Sequence, residues 1–128
     1  MSPASFLMFE IIVQHHFCAA HRLIGYDGKC ANIHGHNFVV EARITGDQLD
    51  NLGILVDFKD VKASLTSIID VLDHQLLNDL PPFRETNPSS ENIAKYFYDQ
   101  LARQLPAHVR LVEIRIQETP SYAATYRP

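Results

Sequence analysis

Histidines at the ends of two predicted strands are the residues of this sequence best suited to chemistry. His34 and His36 are separated by one glycine in "IHGH", so both rings project to the same side of an extended chain. His21 ends the alternating segment "FEIIVQHHFCAAH". Neutral imidazoles bind zinc well, and three protein ligands leave a fourth position for water or substrate. Together the three histidines predict a metal site, whereas any one of them alone could be an ordinary hydrogen-bonded histidine.

A cysteine precedes the histidine pair. Cys30 lies in a predicted loop four residues before His34. A nearby cationic metal would favour the thiolate form and make it a base or nucleophile near neutral pH. Cys30 could instead be a third or fourth metal ligand or a buried filler, although its loop position argues against filler. We predict that Cys18, within an apolar strand, is a small buried filler, and that both thiols are free because no secretory signal favours a disulfide.

Three further polar residues could take part in chemistry. Asp73 and His74 stand in "LDHQ" near the end of a predicted helix, where such a pair is also common in water. Glu118 follows a strand whose alternation points its carboxylate inward, and a buried charge persists only with a partner. A ligand with adjacent N–H donors, such as the edge of a guanidine-like heterocycle, would be a suitable partner. The alternative is a frayed strand end with Glu118 in water.

The apolar periodicity predicts the elements that carry these residues. Alternating segments predict strands over 9–21, from about 36 to 46, and over 109–118, with a weaker strand in "SYAATYRP". Apolar residues at three- and four-residue steps predict a helix from about 57 that ends before Pro81, and a second helix between a serine cap in "NPSS" and Pro106. The order predicts an α+β fold with both helices on one face of an antiparallel sheet.

The predicted inward-facing side chains are more specific than the element order. The expected set is Phe9, Ile11, Val13, His15, Phe17, Ala19 and His21 in the first strand; His36, Phe38, Val40, Ala42 and Ile44 in the second; Phe58, Val61, Leu65, Ile68, Ile69 and Leu72 in the first helix; Ile93, Phe97, Leu101 and Leu105 in the second; and Val112, Ile114, Ile116 and Glu118 in the third strand.

Composition limits the function classes. The formal net charge is −4 and the basic residues are scattered, so nothing predicts nucleic-acid binding. We find no membrane-spanning segment and no leader, and therefore expect a cytoplasmic protein without membrane partners. Residues 1–128 are expected to form a single domain, with only "MSPAS" at the start loose.

The assembled motifs resemble the 6-pyruvoyltetrahydropterin synthase and 6-carboxytetrahydropterin synthase family over nearly the whole chain. The segments that carry the resemblance are, in order, "FCAAHRL", "CANIHGHNF", "GILVDFKDVK", "LDHQLLND", "NPSSENIAKY" and "QETPSYAATYR". The resemblance implies the T-fold, a subunit with a four-stranded antiparallel sheet and two helices. It also implies trimers around a central tunnel that stack into a homo-hexamer.

The resemblance also implies a role for each candidate residue. His21, His34 and His36 would bind zinc, and Cys30 would be the catalytic thiol. Asp73 with His74 would complete a proton-transferring triad, reaching a neighbouring subunit's zinc and Cys30. Glu118 would anchor the pterin, aided by Ser89 and Ser90.

The resemblance implies a lyase reaction as well. Three residues between Cys30 and His34 resemble the bacterial carboxytetrahydropterin synthases, and Ala31 stands where folate-pathway relatives carry glutamate. The implied substrate is 7,8-dihydroneopterin triphosphate, converted to 6-carboxytetrahydropterin with release of acetaldehyde and triphosphate, on the route to queuosine. The pyruvoyl reaction is the alternative within the family. A non-catalytic zinc-storing or scaffold oligomer is the alternative outside enzymes.

Overall fold

The structure is a computed structural model that describes residues 8–128. The strands are β1 (Phe9–His21), β2 (His34–Gly46), β3 (Arg110–Thr119) and β4 (Tyr122–Tyr126), and the helices are α1 (Phe58–Leu72) and α2 (Ser90–Ala102). Short 3-10 turns occupy Lys29–Ala31, Leu77–Asp79 and Pro81–Phe83. The predicted order, including the weak last strand, is confirmed, while the start "MSPAS" lies outside the described residues.

The four strands form one antiparallel sheet in the order β1-β2-β3-β4. In the pairing of β1 with β2, Phe17 lies opposite Phe38 and His21 lies opposite His34. Side chains alternate between the two faces of a strand, so residues an even number of positions apart share one face. The register therefore brings the histidines at the end of β1 and at the start of β2 to the same edge of the same face.

Both helices pack on the face that carries the apolar alternation. The predicted residues Val61, Leu65, Ile68, Ile69 and Leu72 of α1 and Ile93, Phe97 and Leu101 of α2 are buried against it. Phe17 stacks on Phe38 with ring centroids 5.0 Å apart, and Phe97 covers them from α2. Truncating such a core phenylalanine to alanine typically costs about 3 to 5 kcal/mol. This core packs α2 against β1 and β2.

Helix caps set where both helices begin. Asp57 accepts a hydrogen bond from the Lys59 N–H, and Ser89 accepts one from the Asn92 N–H. Such side-chain caps satisfy amide groups that have no partner within the helix. The serine cap predicted for α2 is therefore confirmed.

Some predicted core positions were wrong. Phe58 is 61% exposed because it is the first residue of α1, and Phe9, the first residue of β1, is 40% exposed. Leu105 lies beyond the end of α2 and is only partly buried. In β3, Leu111 rather than Val112 is buried, because the pairing with β2 shifts between Arg43 and Ile44 and leaves Val112 as the extra residue of a bulge.

The chain after α1 returns to the sheet instead of continuing as a helix. Asp73 leaves helical geometry with ψ of 132°, and His74 adopts the left-handed region with φ of 59°. The next residues then hydrogen-bond to the edge of β1: the His74 N–H donates to the Cys18 carbonyl, and the Ala20 N–H donates to the Gln75 carbonyl. This attachment explains why α1 ends at Leu72, well before Pro81.

Candidate metal centre and active site

The three predicted histidines meet at one end of the helix-covered face. Their ring centroids lie 4.6 Å apart for His21 and His34, 4.9 Å for His34 and His36, and 5.3 Å for His21 and His36. One donor atom from each of them and one carboxylate oxygen of Glu118 all lie within 4.8 Å of one another. Within residues 8–128, this is the one group of three or more such side chains with donors so close.

Backbone carbonyls orient two of the three rings. His21 Nδ1 lies 2.6 Å from the Pro88 carbonyl oxygen, and His34 Nδ1 lies 2.7 Å from the Asn32 carbonyl oxygen. A carbonyl oxygen can only accept, so each Nδ1 carries the proton and donates it. In the neutral ring, the Nε2 lone pair is then free to bind a metal, which is the usual arrangement of metal-binding histidines.

Two of the free nitrogens are buried without a hydrogen bond. Nε2 of His21 and Nε2 of His36 are both shielded from water and have no hydrogen-bond partner. The His36 nitrogen lies 3.0 Å from Glu118 Oε1, but the direction of approach does not make a hydrogen bond. Burying a polar atom without a partner costs about 1 to 3 kcal/mol. Electron-rich atoms aimed into a common space fit a bound cation, and three imidazoles fit zinc with a fourth position left open.

The charge state of the histidines agrees with that fit. The pKa of His21 is lowered from its ordinary value, first because burial disfavours the imidazolium, against an opposing contribution from its bond to Pro88. Burial also lowers the pKa of His36, assisted by the neighbouring His34 and opposed by Glu118. Both rings are therefore kept neutral, which is the form that binds metals. A neutral His36 does not form an ion pair with Glu118.

Glu118 faces the histidines, as strand alternation predicts. Its Oε2 accepts a hydrogen bond of 2.8 Å from the Ser90 hydroxyl, while Oε1 is the atom next to His36. Ser90 is the first residue of α2 and is buried, whereas the Ser89 hydroxyl is occupied as the helix cap. The two serines thus have different tasks in this chain: Ser90 orients Glu118, and Ser89 starts the helix.

Cys30 is half-buried in the loop that joins β1 to β2, inside the turn Lys29–Ala31. Gly28 just before it has φ of 149°, and a Cβ there would lie 2.9 Å from the Tyr26 ring, so this turn requires glycine. The Cys30 carbonyl accepts a hydrogen bond from the Leu23 N–H at 2.8 Å. Its thiol does not belong to the group of metal-binding atoms described above. The structure therefore brings Glu118, rather than Cys30, among the histidines.

Asp73 and His74 form a pair at the edge of β1. Asp73 Oδ2 lies 2.9 Å from His74 Nδ1, and Oδ1 accepts a 2.9 Å hydrogen bond from the Cys18 N–H. The Cys18 N–H, and then the bond to His74, lower the pKa of Asp73, so the carboxylate stays ionised. The His74 side chain is 77% exposed. Its Nε2 is consequently directed away from Asp73 and is open to an outside partner.

An open groove lies beside His74 at the edge of β1. It has a volume of about 470 Å³, and its lining includes His36, His74 and Cys18. The prediction that Cys18 is a buried filler was wrong: it is half-buried and its thiol donates to Asn37 Oδ1 at 2.9 Å. Cys18 belongs to the alternate positions of β1, which face away from the helices.

Several residues that organise the site were not among the predicted ones. Pro88 holds His21 through its carbonyl, Asn32 holds His34 in the same way, and the Cys18 backbone holds Asp73. These contacts use main-chain atoms, which every residue possesses, so side-chain types gave no signal. Asn87 was also missed, although an asparagine before "PSS" is a common residue ahead of a helix start.

Comparisons with known proteins agree on one family. The family described as 6-pyruvoyl tetrahydropterin synthase matches residues 10–128. A Bacillus subtilis protein named 6-carboxy-5,6,7,8-tetrahydropterin synthase is 33% identical over 128 residues, covering 94% of this chain and 86% of that protein. A Poecilia reticulata 6-pyruvoyl tetrahydrobiopterin synthase is 38% identical over 104 residues, covering 78% of this chain and 70% of that protein. The structure of Caenorhabditis elegans 6-pyruvoyl tetrahydropterin synthase superposes with a TM-score of 0.85 at 29% identity, covering 95% of this chain and 96% of that one.

Proposed function

The chain belongs to the 6-pyruvoyl tetrahydropterin synthase family and has its T-fold, and we propose its reaction on that basis. Because its relatives are pterin synthases, the chain is a lyase. We propose that it is a zinc-dependent enzyme that converts 7,8-dihydroneopterin triphosphate and water to 6-carboxytetrahydropterin, acetaldehyde and triphosphate, in the supply of a queuosine precursor. Residues 1–128 would form one pterin synthase domain.

The observation that carries the proposal is the set of converging donor atoms. His21 and His34 each present Nε2 because Nδ1 donates to a backbone carbonyl, and His36 Nε2 is buried beside them without a hydrogen bond. Three imidazoles that converge in this way would hold a zinc ion with a position left for substrate. The ion, when bound, would supply a Lewis acid that polarises oxygen atoms of the pterin side chain.

The remaining residues divide the proton transfers between them. Cys30 would act as the base that removes a proton from the substrate side chain. His74 would deliver or accept a proton at Nε2, while the ionised Asp73 holds Nδ1–H and stabilises the ring when it becomes charged. Asp73 is itself fixed by the Cys18 N–H, so the pair is tied to the strand that carries His21.

Glu118 would hold the pterin ring. Two carboxylate oxygens match the two adjacent N–H donors of an amino-pyrimidine edge. Ser90 donates to Oε2 and would keep the carboxylate aimed at the substrate, with Ser89 supporting the same turn as the cap of α2. Glu118 Oε1 also lies within reach of the metal-binding atoms, so the pterin would be bound next to the metal.

The choice of product rests on the spacing of the cysteine motif. Three residues separate Cys30 from His34, and Ala31 replaces the glutamate of folate-pathway relatives, which favours the carboxytetrahydropterin reaction. The Bacillus subtilis relative bears that name and is matched over 94% of this chain. The second candidate is the pyruvoyl reaction, because the Poecilia reticulata relative of that name is 38% identical over 78% of the chain.

An assembled active site would account for the exposure of the catalytic pair. With 77% of its side chain exposed, His74 projects from the edge of β1 toward any neighbouring subunit. β1 and β4 are the outer strands of the sheet, through which trimers could close around a tunnel and stack into a hexamer. No helix within residues 8–128 has the length and apolar character needed to span a bilayer. A cytoplasmic location is part of the same proposal.

Release of triphosphate from 7,8-dihydroneopterin triphosphate tests the proposed function. The wild-type protein is expected to release triphosphate continuously, and the same protein stripped with a chelator is expected to be inactive until zinc is restored. A non-catalytic zinc-storing or scaffold oligomer would bind the metal and leave the substrate intact. Metal binding without triphosphate release would therefore refute the lyase proposal.

A further inference from the structure

Two asparagine side chains hold the loop that carries Cys30. We propose that Asn78 and Asn87 are positioning residues that fix the Cys30 thiol for proton transfer, an inference that rests on the catalytic role proposed for Cys30. Neither side chain is hydrogen-bonded to Cys30 itself. Both act on the three residues that follow His21, and one of these three binds the Cys30 backbone.

Asn78 clamps the first residue after β1. The Arg22 N–H donates to Asn78 Oδ1 at 2.9 Å, and Asn78 Nδ2 donates to the Arg22 carbonyl at 3.0 Å. One amide group thereby satisfies both backbone groups of one residue, as a neighbouring strand would. Asn78 lies in the turn Leu77–Asp79, a few residues after His74.

Asn87 repeats the same arrangement two residues further along the loop. The Ile24 N–H donates to Asn87 Oδ1 at 2.9 Å, and Asn87 Nδ2 donates to the Ile24 carbonyl at 3.0 Å. Asn92 in α2 donates from Nδ2 to the Asn87 carbonyl at 2.9 Å and so fixes the clamp to the helix. The residue next in sequence, Pro88, is the one whose carbonyl holds His21.

Leu23 lies between Arg22 and Ile24, and its backbone connects this held segment to Cys30. Its N–H donates to the Cys30 carbonyl at 2.8 Å, and its carbonyl accepts from the Tyr26 N–H at 3.3 Å. With Arg22 and Ile24 each held at both backbone groups, the Leu23 amide has little freedom to move. Cys30 is consequently tied to the end of β1 and not only to its own exposed loop.

The two clamps originate from different parts of the active site. Asn78 belongs to the segment that follows the Asp73 and His74 pair, and Asn87 to the segment that orients His21 and Glu118. The loop with Cys30 is therefore held by the segment of the proton-transferring pair and by that of the metal centre. A misplacement of about 1 Å can cost about 100-fold in rate, so this alignment matters for catalysis.

Replacing either asparagine tests the proposal. In a Cys18→Ser background, which leaves Cys30 as the single thiol, Asn78→Ala and Asn87→Ala should each raise the rate of Cys30 alkylation by iodoacetamide by about threefold or more, because the loop opens more often. The value of kcat for triphosphate release should fall about 10- to 100-fold with KM nearly unchanged, since only the chemical step is affected. Bound zinc should stay at the wild-type level.

Further variants separate positioning from stability. Asn87→Asp retains the acceptor for the Ile24 N–H and should recover part of kcat even if Asn87→Ala folds poorly. Asp50→Ala removes two comparable side-chain bonds, to the Leu52 and Ile54 N–H groups of another loop, and should leave kcat and alkylation unchanged. Unchanged kcat in both asparagine variants would overturn the proposal, with or without faster alkylation. A wild type without turnover would instead refute the proposed function, and the alkylation rates alone would then decide whether the asparagines hold Cys30.

Discussion

His21, the last residue of β1, donates from Nδ1 to the carbonyl of Pro88 over 2.6 Å. Pro88 immediately precedes Ser89, the cap of α2, and Ser90 in the same turn orients Glu118. A single turn therefore sets the direction of the ring proposed to bind the metal and of the carboxylate proposed to hold the pterin. With the roles proposed for His21 and Glu118, this turn would couple metal binding to substrate binding through contacts of consecutive residues.

Removing one histidine should remove the metal. Wild-type protein purified without chelator should contain about one zinc per chain, and His34→Ala should contain almost none and be inactive, because two imidazoles bind zinc far more weakly than three. Elemental analysis measures this. His108→Ala is the matched control, since His108 bonds to the Leu55 carbonyl away from the site and should not affect zinc. A metal-free and fully active wild type would contradict the assignment.

Removing the thiol should separate catalysis from metal binding. Cys30→Ala should keep its fold and zinc but lose about 10² to 10⁴ in kcat, the usual effect of removing a general base. Triphosphate release and elemental analysis on the same sample give both values. Cys18→Ala, which removes the other thiol, should retain most activity. Loss of zinc from Cys30→Ala would show that Cys30 is a metal ligand instead.

Neutralising Glu118 should weaken pterin binding. Glu118→Gln keeps the shape but loses the charge-assisted pair, so binding of a non-reactive pterin such as biopterin should weaken by about 1.5 to 3 kcal/mol. Titration calorimetry gives the value, with zinc content expected to be unchanged. Glu113→Gln is the control on the same strand, because Glu113 pairs with Arg127 away from the site. Equal pterin affinities for Glu118→Gln and wild type would place the pterin pocket elsewhere.

The metal-free protein should lose stability in mild acid. The pKa values of His21 and His36 are lowered from 6.5, so below that pH the unfolded chain binds protons that the folded chain does not. The free energy of unfolding should therefore fall as the pH drops below 6.5, by at most about 1.4 kcal/mol per pH unit for each histidine. Well above pH 6.5, these two histidines should not change the free energy of unfolding. Urea unfolding of chelator-treated wild type and His21→Gln measures the difference. An equally steep loss in His21→Gln would exclude His21 as a source.

The sequence predicted those parts of the fold that periodicity encodes. The three histidines, the inward Glu118 and most of the buried faces of both helices followed from alternation and from three- and four-residue steps. Alternation assigned the buried position near the start of β3 to Val112, but Leu111 occupies it. This difference could not be predicted, because the bulge at Val112 depends on pairing between strands. The attachment of residues 74–76 to the edge of β1 could not be predicted either, because it uses backbone atoms, which every residue possesses.

The identity of the product decides which reaction the protein catalyses. Purified zinc-loaded protein is incubated with 7,8-dihydroneopterin triphosphate, and the reaction is followed by mass spectrometry. We expect 6-carboxytetrahydropterin, together with acetaldehyde and triphosphate. Accumulation of 6-pyruvoyl tetrahydropterin would contradict the proposed product and establish the second candidate, and substrate that remains intact would contradict the proposed reaction altogether.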